Sequence, residues 1–236
     1  MKKHVEINKM REVGFQYEEA IKTLRTNIQF SGSSVKVVMF TSCIPNEGKS
    51  ETTFRTAEST AMIGKKVLLI DADIRKSVLA ARLGINQELR GLSDYLSGQV
   101  KLEDVICSTQ VPGLDMLFAG TFTPAAAELV EEPAFEKMLE WARTEYDYIF
   151  IDTPPVGTVI DGAIIATKCD GAILLIASGG VSYKEAQRVK QQLEKSGCRI
   201  LGAVLNMIQS TKGSYYYRSK GSASSKKQEY RNEEQS

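Results

Sequence analysis

Residues 41–55 read TSCIPNEGKSETTFR, and this stretch decides the fold. Its end, Gly48-Lys49-Ser50, completes the phosphate-binding pattern G-x-x-x-x-G-K-[ST], but Cys43 stands where that pattern begins with glycine. Such a loop works by surrounding a β-phosphate with backbone N–H groups. A lysine then reaches the β/γ oxygens, and a Ser or Thr hydroxyl ligates magnesium. Here the loop follows an apolar run, VKVVMF (35–40), and opens a helical pattern, KSETTFRTAESTAMIG. That is the strand–loop–helix setting the chemistry requires, with the helix dipole adding to the charge of Lys49. The missing glycine removes one permissive backbone position and no more.

Outward from the loop, apolar β-branched runs recur at KVLLID (66–71), YIFID (148–152), GAILLIA (171–177) and ILGAVLN (200–206), with a weaker one, LDMLFAG, from Leu114. They are continuous rather than alternating, as in strands covered on both faces. Helical patterns separate them, including PAFEKMLEWARTEY and SYKEAQRVKQQLEKSG, the latter ending on a cap glycine, Gly197. Alternation of this kind predicts an α/β fold with a mostly parallel sheet flanked by helices.

Composition excludes several alternatives. With 30 basic and 29 acidic residues in 236, the chain has no global pull toward nucleic acid. No apolar run approaches the roughly 18–20 residues of a membrane span, and no secretory signal follows the first lysines. Four scattered cysteines and one histidine, His4, give a zinc or iron–sulfur site little to work with. These features predict a reduced, cytosolic chain.

Two further strands end on carboxylates. VLLIDADIRK places Asp71 at a strand end and Asp73 two residues on, and YIFIDTPP places Asp152 at another. Strand C-termini converge on the ligand crevice of an open parallel sheet, so the three acids are expected to meet beside the loop. The organisation expected is a flexible N-terminus (1–13), a nucleotide-binding domain (14–208) whose first helix (14–31) is amphipathic, and a disordered tail (209–236). On that helix Glu19, Lys22 and Arg25 share an exposed stripe. The tail, poor in aliphatics, nevertheless carries Tyr215, Tyr216, Tyr217 and Tyr230, and polar tails are usually short of aromatics.

SCIPNEGKS, VLLIDADIRK and YIFIDTPP together resemble the Walker A, A′ and B segments of the bacterial tyrosine kinases (BY-kinases) of capsule and exopolysaccharide systems. EEAIKTLRTNIQFS is similar to that family's first helix, and TPAAAELV to its P-x-P-x-E-L-L segment. The resemblance runs from about Tyr17 to Asn206, and the family itself has no glycine at the first Walker position. It implies a P-loop NTPase of the Min/Par-like deviant Walker subgroup that uses ATP and Mg²⁺ to phosphorylate tyrosine. Pro45, Asn46, Glu47, Gly48, Lys49, Ser50, Glu51 and Asn206 would bind ATP, with Asn206 toward the adenine. Ser50, Asp73 and Asp152 would hold the metal, and Lys49, Asp71, Asp73 and Asp152 would carry catalysis, Asp71 as the base for the phenol.

The same resemblance makes the tail tyrosines phosphoacceptors in trans and makes Glu19, Lys22 and Arg25 contacts of a homo-oligomeric ring. It implies a transmembrane polysaccharide co-polymerase-type adaptor that recruits the cytoplasmic kinase to the inner face of the membrane, and a cognate phosphotyrosine phosphatase. Glu51 departs from the family's threonine, and Arg55, one turn on, is placed to neutralise it. Two other readings share the fold. A catalytically weak ATP-binding scaffold would gate assembly without transfer. A Min/Par-type positioning ATPase would need a lysine where Ile44 stands, and the iron–sulfur carriers of the fold need a C-x-x-C the chain lacks.

Overall fold

The computed structural model describes residues 2–9 and 12–208. The chain runs β1 (Lys3–Val5), α1 (Phe15–Phe30), β2 (Val37–Ser42), α2 (Lys49–Ala61), β3 (Val67–Asp71) and α3 (Leu79–Arg82). It continues through α4 (Leu92–Leu96), α5 (Leu102–Val105), β4 (Ile106–Thr109), β5 (Leu114–Leu117), α6 (Ala126–Glu131) and α7 (Pro133–Glu145). It closes with β6 (Tyr148–Asp152), α8 (Asp161–Ala166), β7 (Gly171–Ala177), α9 (Tyr183–Lys195) and β8 (Ile200–Asn206).

The strands form one eight-stranded sheet in the order β1-β4-β5-β3-β6-β2-β7-β8. Every pairing is parallel except β4 with β5. Because successive side chains on a strand point to opposite faces, each central strand feeds two cores. Val37, Met39, Leu68, Ile70, Ile149 and Ile151 pack on the side of α7 and α9, against Phe135, Met138, Leu139 and Val189. Val38, Phe40, Leu69 and Phe150 pack on the other side, against Ile28 of α1 and Phe54, Ala57 and Ala61 of α2. Coverage of both faces is what the unbroken apolar runs required.

The helix α2 is rich in threonine yet buried. Its hydroxyls are satisfied along its own axis: Thr52 donates to the Gly48 carbonyl at 3.0 Å, Thr53 to Lys49 at 2.9 Å, Thr56 to Thr52 at 2.7 Å and Thr60 to Thr56 at 2.7 Å. Such back-bonding lets a polar helix sit inside the fold without stranding its hydroxyls.

At the N-terminus the expected flexible segment gives way to structure. Lys3, His4 and Val5 pair with Cys107, Ser108 and Thr109, and Val5 and Ile7 are buried. Gln110 reinforces the attachment, accepting from Ile7 N and donating to Ile7 O, both at 3.0 Å. Lys2 forms an ion pair with Asp115. The strand KHV is too short and too polar to be recognised alone; its partner lies about a hundred residues away. Among the described residues no helix is long and apolar enough to cross a membrane. The expected disordered tail and its four tyrosines lie outside the described residues.

Candidate active site

The loop between β2 and α2 needs two left-handed backbone positions, and neither is Cys43. Asn46 takes φ 67° and Gly48 φ 83°. Asparagine tolerates this region better than most residues, and glycine without cost. A side chain at Gly48 would also place its Cβ 2.1 Å from Asn206 Nδ2. Cys43 is fixed differently: its N–H and that of Ile44 both donate to Glu47 Oε2, at 2.7 and 2.9 Å. Glu47 Oε1 accepts a third N–H, from Ala177 at the end of β7, at 2.8 Å. A carboxylate thus holds the start of the loop from within and ties it to the sheet.

Two residues expected to contact the ligand carry bonds within the fold. Glu47 is buried, and its side chain is spent on the protein's own backbone. Asn206, expected toward an adenine, instead donates its amide to the Glu47 carbonyl at 2.9 Å and braces the loop. Pro45 and Asn46 are exposed at the tip. Lys49 and Ser50 open α2, whose first turn has no side-chain cap, so its N–H donors remain for a ligand.

Asp71 and Asp152 end neighbouring strands in direct register. Lys49 Nζ bonds Asp152 Oδ1, with the two side chains 7% and 2% exposed. Asp71 is buried and accepts a hydrogen bond from the Ser77 hydroxyl. Burial, then the charge of Asp152, pushes the Asp71 carboxyl up to about 7, against the pull of Ser77 and Lys49. Asp73 is half-buried; burial raises it, opposed by Lys49 and by the Lys76 N–H, which lies 3.1 Å from Asp73 Oδ1. Behind Asp152, Thr41 Oγ1 bridges the following loop, donating to Pro154 O at 3.1 Å and accepting from Val156 N at 3.2 Å.

A cleft of about 380 Å³ brings Pro45, Asn46, Gly48, Lys49, Ser50 and Asp73 together with Arg75, Lys76, Arg82 and Pro154. A more open concavity of about 480 Å³ follows α9, but only in the first do buried, paired ionic groups converge. Arg75 was not singled out in the sequence. Its guanidinium forks onto buried Asp161, Nε to Oδ2 at 2.6 Å and Nη2 to Oδ1 at 3.0 Å, and Nη1 reaches Pro124 O at 2.9 Å. The available signal was its place two residues after Asp73; Asp161 gave none, because a lone acid before a short apolar helix reads as a cap.

Glu51 does not point at the loop's ligand side unopposed. Arg55 Nε donates to Glu51 Oε1 at 2.9 Å, and its Nη1 lies 3.4 Å from Glu58 Oε2. On α1, Glu19 and Lys22 pair at 2.7 Å on the exposed surface. Arg25 departs from the expected stripe. Its guanidinium turns onto α2, donating to Ser59 O at 3.1 Å and Ser59 Oγ at 3.0 Å, and its Nε is buried without a partner.

A phosphate-type loop between a central parallel strand and a helix, with strand-end carboxylates facing it, defines a P-loop NTPase. The AAA domain family matches residues 36–200. The tyrosine-protein kinase CpsD of Streptococcus agalactiae is 42% identical over 198 residues, covering 84% of this chain and 86% of CpsD. The kinase domain of the Escherichia coli tyrosine kinase ETK superposes with a TM-score of 0.78 at 33% identity, covering 85% of this chain and 80% of that one. The septum site-determining protein MinD of Pyrococcus horikoshii, solved with Mg-ADP, superposes at 0.62 and 25% identity over 72% of this chain and 70% of its own. The chain belongs to the bacterial tyrosine-protein kinases and is an enzyme of that class.

Proposed function

We propose that this kinase transfers the γ-phosphoryl group of ATP to Tyr215, Tyr216, Tyr217 and Tyr230 of a second copy, and that cycles of tail phosphorylation regulate capsular or exopolysaccharide synthesis and export. The observation that carries the reading is the buried meeting of Lys49, Asp71 and Asp152 at the mouth of the loop. In a cleft that excludes water, fixed charges of this kind do most of the work of phosphoryl transfer.

Each residue then has a task. Lys49 leaves Asp152 to reach the β/γ oxygens, and the first-turn N–H groups of α2 hold the remaining phosphate oxygens. Asp71 takes the proton from the attacking phenol; a phenol ionises near pH 10, so a base with a raised carboxyl is useful at neutral pH. Among the described residues no cluster of three or more His, Cys, Asp or Glu is placed to cage an ion alone. Mg²⁺ is commonly held by one or two carboxylates together with substrate phosphates and water; here those would be Asp73 and Asp152, with the Ser50 hydroxyl beside them. Bound, it would neutralise charge building on the transferred group.

The remaining proposals follow from the family resemblance. A transmembrane co-polymerase-type adaptor would recruit the kinase from the cytoplasm to the inner face of the membrane, and a phosphatase would reset the tail. Glu19 and Lys22 of α1 would face the neighbour in a ring, with Arg25 holding α1 on α2 rather than touching the neighbour. The first test is tail phosphotyrosine by mass spectrometry after incubation with Mg-ATP, with and without the adaptor's cytosolic segment. Phosphate on Tyr215, Tyr216 or Tyr217 that disappears in Lys49→Met is the expected result. ATP binding without any tail phosphate would favour the nucleotide-gated scaffold.

A further inference from the structure

Five of the nine tyrosines lie among the described residues, and four of them are engaged. Tyr146 is buried and donates to Asp115 Oδ2 at 2.7 Å, and Tyr95 donates to the Ala134 carbonyl at 3.2 Å. Tyr148 is half-buried beside Phe150, ring centroids 5.7 Å apart, and Tyr17 shares a hydrogen bond with Thr52. Tyr183 differs from all of these. It is 80% exposed at the first position of α9, and among the described residues no side chain or backbone group holds its phenol.

Its surroundings are open rather than packed. The preceding segment is exposed at Ser178, Gly179, Gly180 and Ser182, and Gly179 takes φ 71°. That segment leaves β7 on the rim where the phosphate loop opens. Ala177 N donates to Glu47 Oε1 at 2.8 Å, and Ser178 N to the Asn206 carbonyl at 2.8 Å. Tyr183 is therefore presented on the same edge of the sheet as the site, and as the point from which the tail departs.

We propose that Tyr183 is a phosphoacceptor inside the folded domain, modified by a second copy of this chain. The inference rests on the trans transfer proposed above. Tyr183 is not among the residues that line the cleft of its own chain, so its exposed phenol is offered outward, to the site of a second copy. In the step, the phenolic oxygen of Tyr183 forms a bond to the γ-phosphorus of ATP and the bridging P–O bond breaks. ADP leaves, and the phenolic proton passes to the Asp71 carboxylate of the donor copy and on to water. The product suits its place. A phosphate dianion would sit at the positive end of α9, whose N-cap Ser182 already accepts from Glu185 N, with Lys184 and Arg188 exposed nearby.

The test mixes two full-length chains with Mg-ATP. The donor is the active chain carrying Tyr183→Phe. The acceptor carries Lys49→Met, so that it cannot label itself, and exists in two forms, with the four tail tyrosines intact or all changed to Phe. Phosphopeptide mapping of the acceptor is expected to show phosphate on Tyr183 in both forms, and none when Tyr183→Phe is added to the second. Phosphate on the intact acceptor's tail with none on Tyr183 overturns this inference and leaves the kinase reading in place. No phosphate on either acceptor overturns the trans reading and this inference with it. The Tyr183→Phe change keeps the ring at an exposed position, so loss of fold does not confuse the outcome.

Discussion

At the C-terminal edge of the sheet, Lys49 and Asp152 meet through one contact in a buried setting. At the N-terminal edge, Arg143 and Asp170 meet through two, Nη1 to Oδ2 and Nη2 to Oδ1, each 2.8 Å. Asp170 Oδ2 also accepts the backbone N–H groups of Lys36 and Val37 at 2.8 Å, pinning the start of β2. Asp152 belongs to a different kind of environment. Its strand neighbour is another acid, Asp71, and its partner is a lysine, whose flexible stem and single charge can swing elsewhere. On the proposed mechanism one edge keeps its pair and the other releases it, so that the same two residue classes stabilise the fold at one end of β2 and would serve a ligand at the other.

The largest effect expected from that contrast is on catalysis. Lys49→Met should lower the initial rate of tail phosphorylation by about 10²–10³-fold, the usual cost of deleting one fixed charge aimed at a transition state. The variant's melting curve should still show a cooperative transition. Asp170→Asn should do the reverse. Transfer per folded molecule stays unchanged, while stability falls by about 1.5–3 kcal/mol for lost bonds to a charged group. That figure sits below the value for a fully buried pair because Arg143 is a third exposed. If Asp170→Asn slowed transfer as much as Lys49→Met, the division between the edges would fail.

Acidity sharpens the contrast. Burial works against the charged form of Asp170, but the Arg143 fork and the two N–H donors outweigh it and hold the carboxyl below its ordinary range. A carboxylate lowered by folding contributes stability that is complete above its unfolded value, about 3.9, and is lost as pH falls through the folded one. The stability gap between the parent and Asp170→Asn should therefore be constant near neutrality and close below about pH 4. Urea titrations at a series of pH values measure it, and a gap that widened on acidification would contradict the assignment.

The two edges also differ in how much of them was written in the sequence. The central strands were plain as apolar runs, since both faces are covered, and the loop was plain because Gly48-Lys49-Ser50 follows one of them. Asp71 and Asp152 were legible from their places at strand ends. What escaped depends on partners distant in the chain. β1 and β4 are short and half-polar, and they exist because they pair with each other and, for β4, antiparallel with β5. Glu47 looks like a ligand contact when read along the loop. Only folding shows its carboxylate collecting N–H groups from Cys43, Ile44 and Ala177. Arg25 looked solvent-facing by its spacing from Glu19 and Lys22, but a guanidinium reaches further round a helix than the spacing rule assumes, and Ser59 was within range.

The smallest effect tests the one local oddity of the functional edge. Glu51 brings a carboxylate into the first turn of α2, and Arg55 answers it at i+4 while also contacting Glu58. Because Arg55 is 12% exposed and shared between two acids, removing Glu51 does not strand the guanidinium. The coupling between Glu51 and Arg55 should then be that of a helical ion pair, about 0.3–0.5 kcal/mol, or roughly twofold in nucleotide affinity. Glu51→Thr, Arg55→Asn and the double change form the cycle that measures it. The Arg55 change alone should weaken nucleotide binding most, because it leaves Glu51 unopposed in the first turn of α2, beside the phosphates; the double change should recover part of the loss. Strict additivity would mean that Glu51 acts on the ligand directly, and the compensation between the two residues would have to be given up.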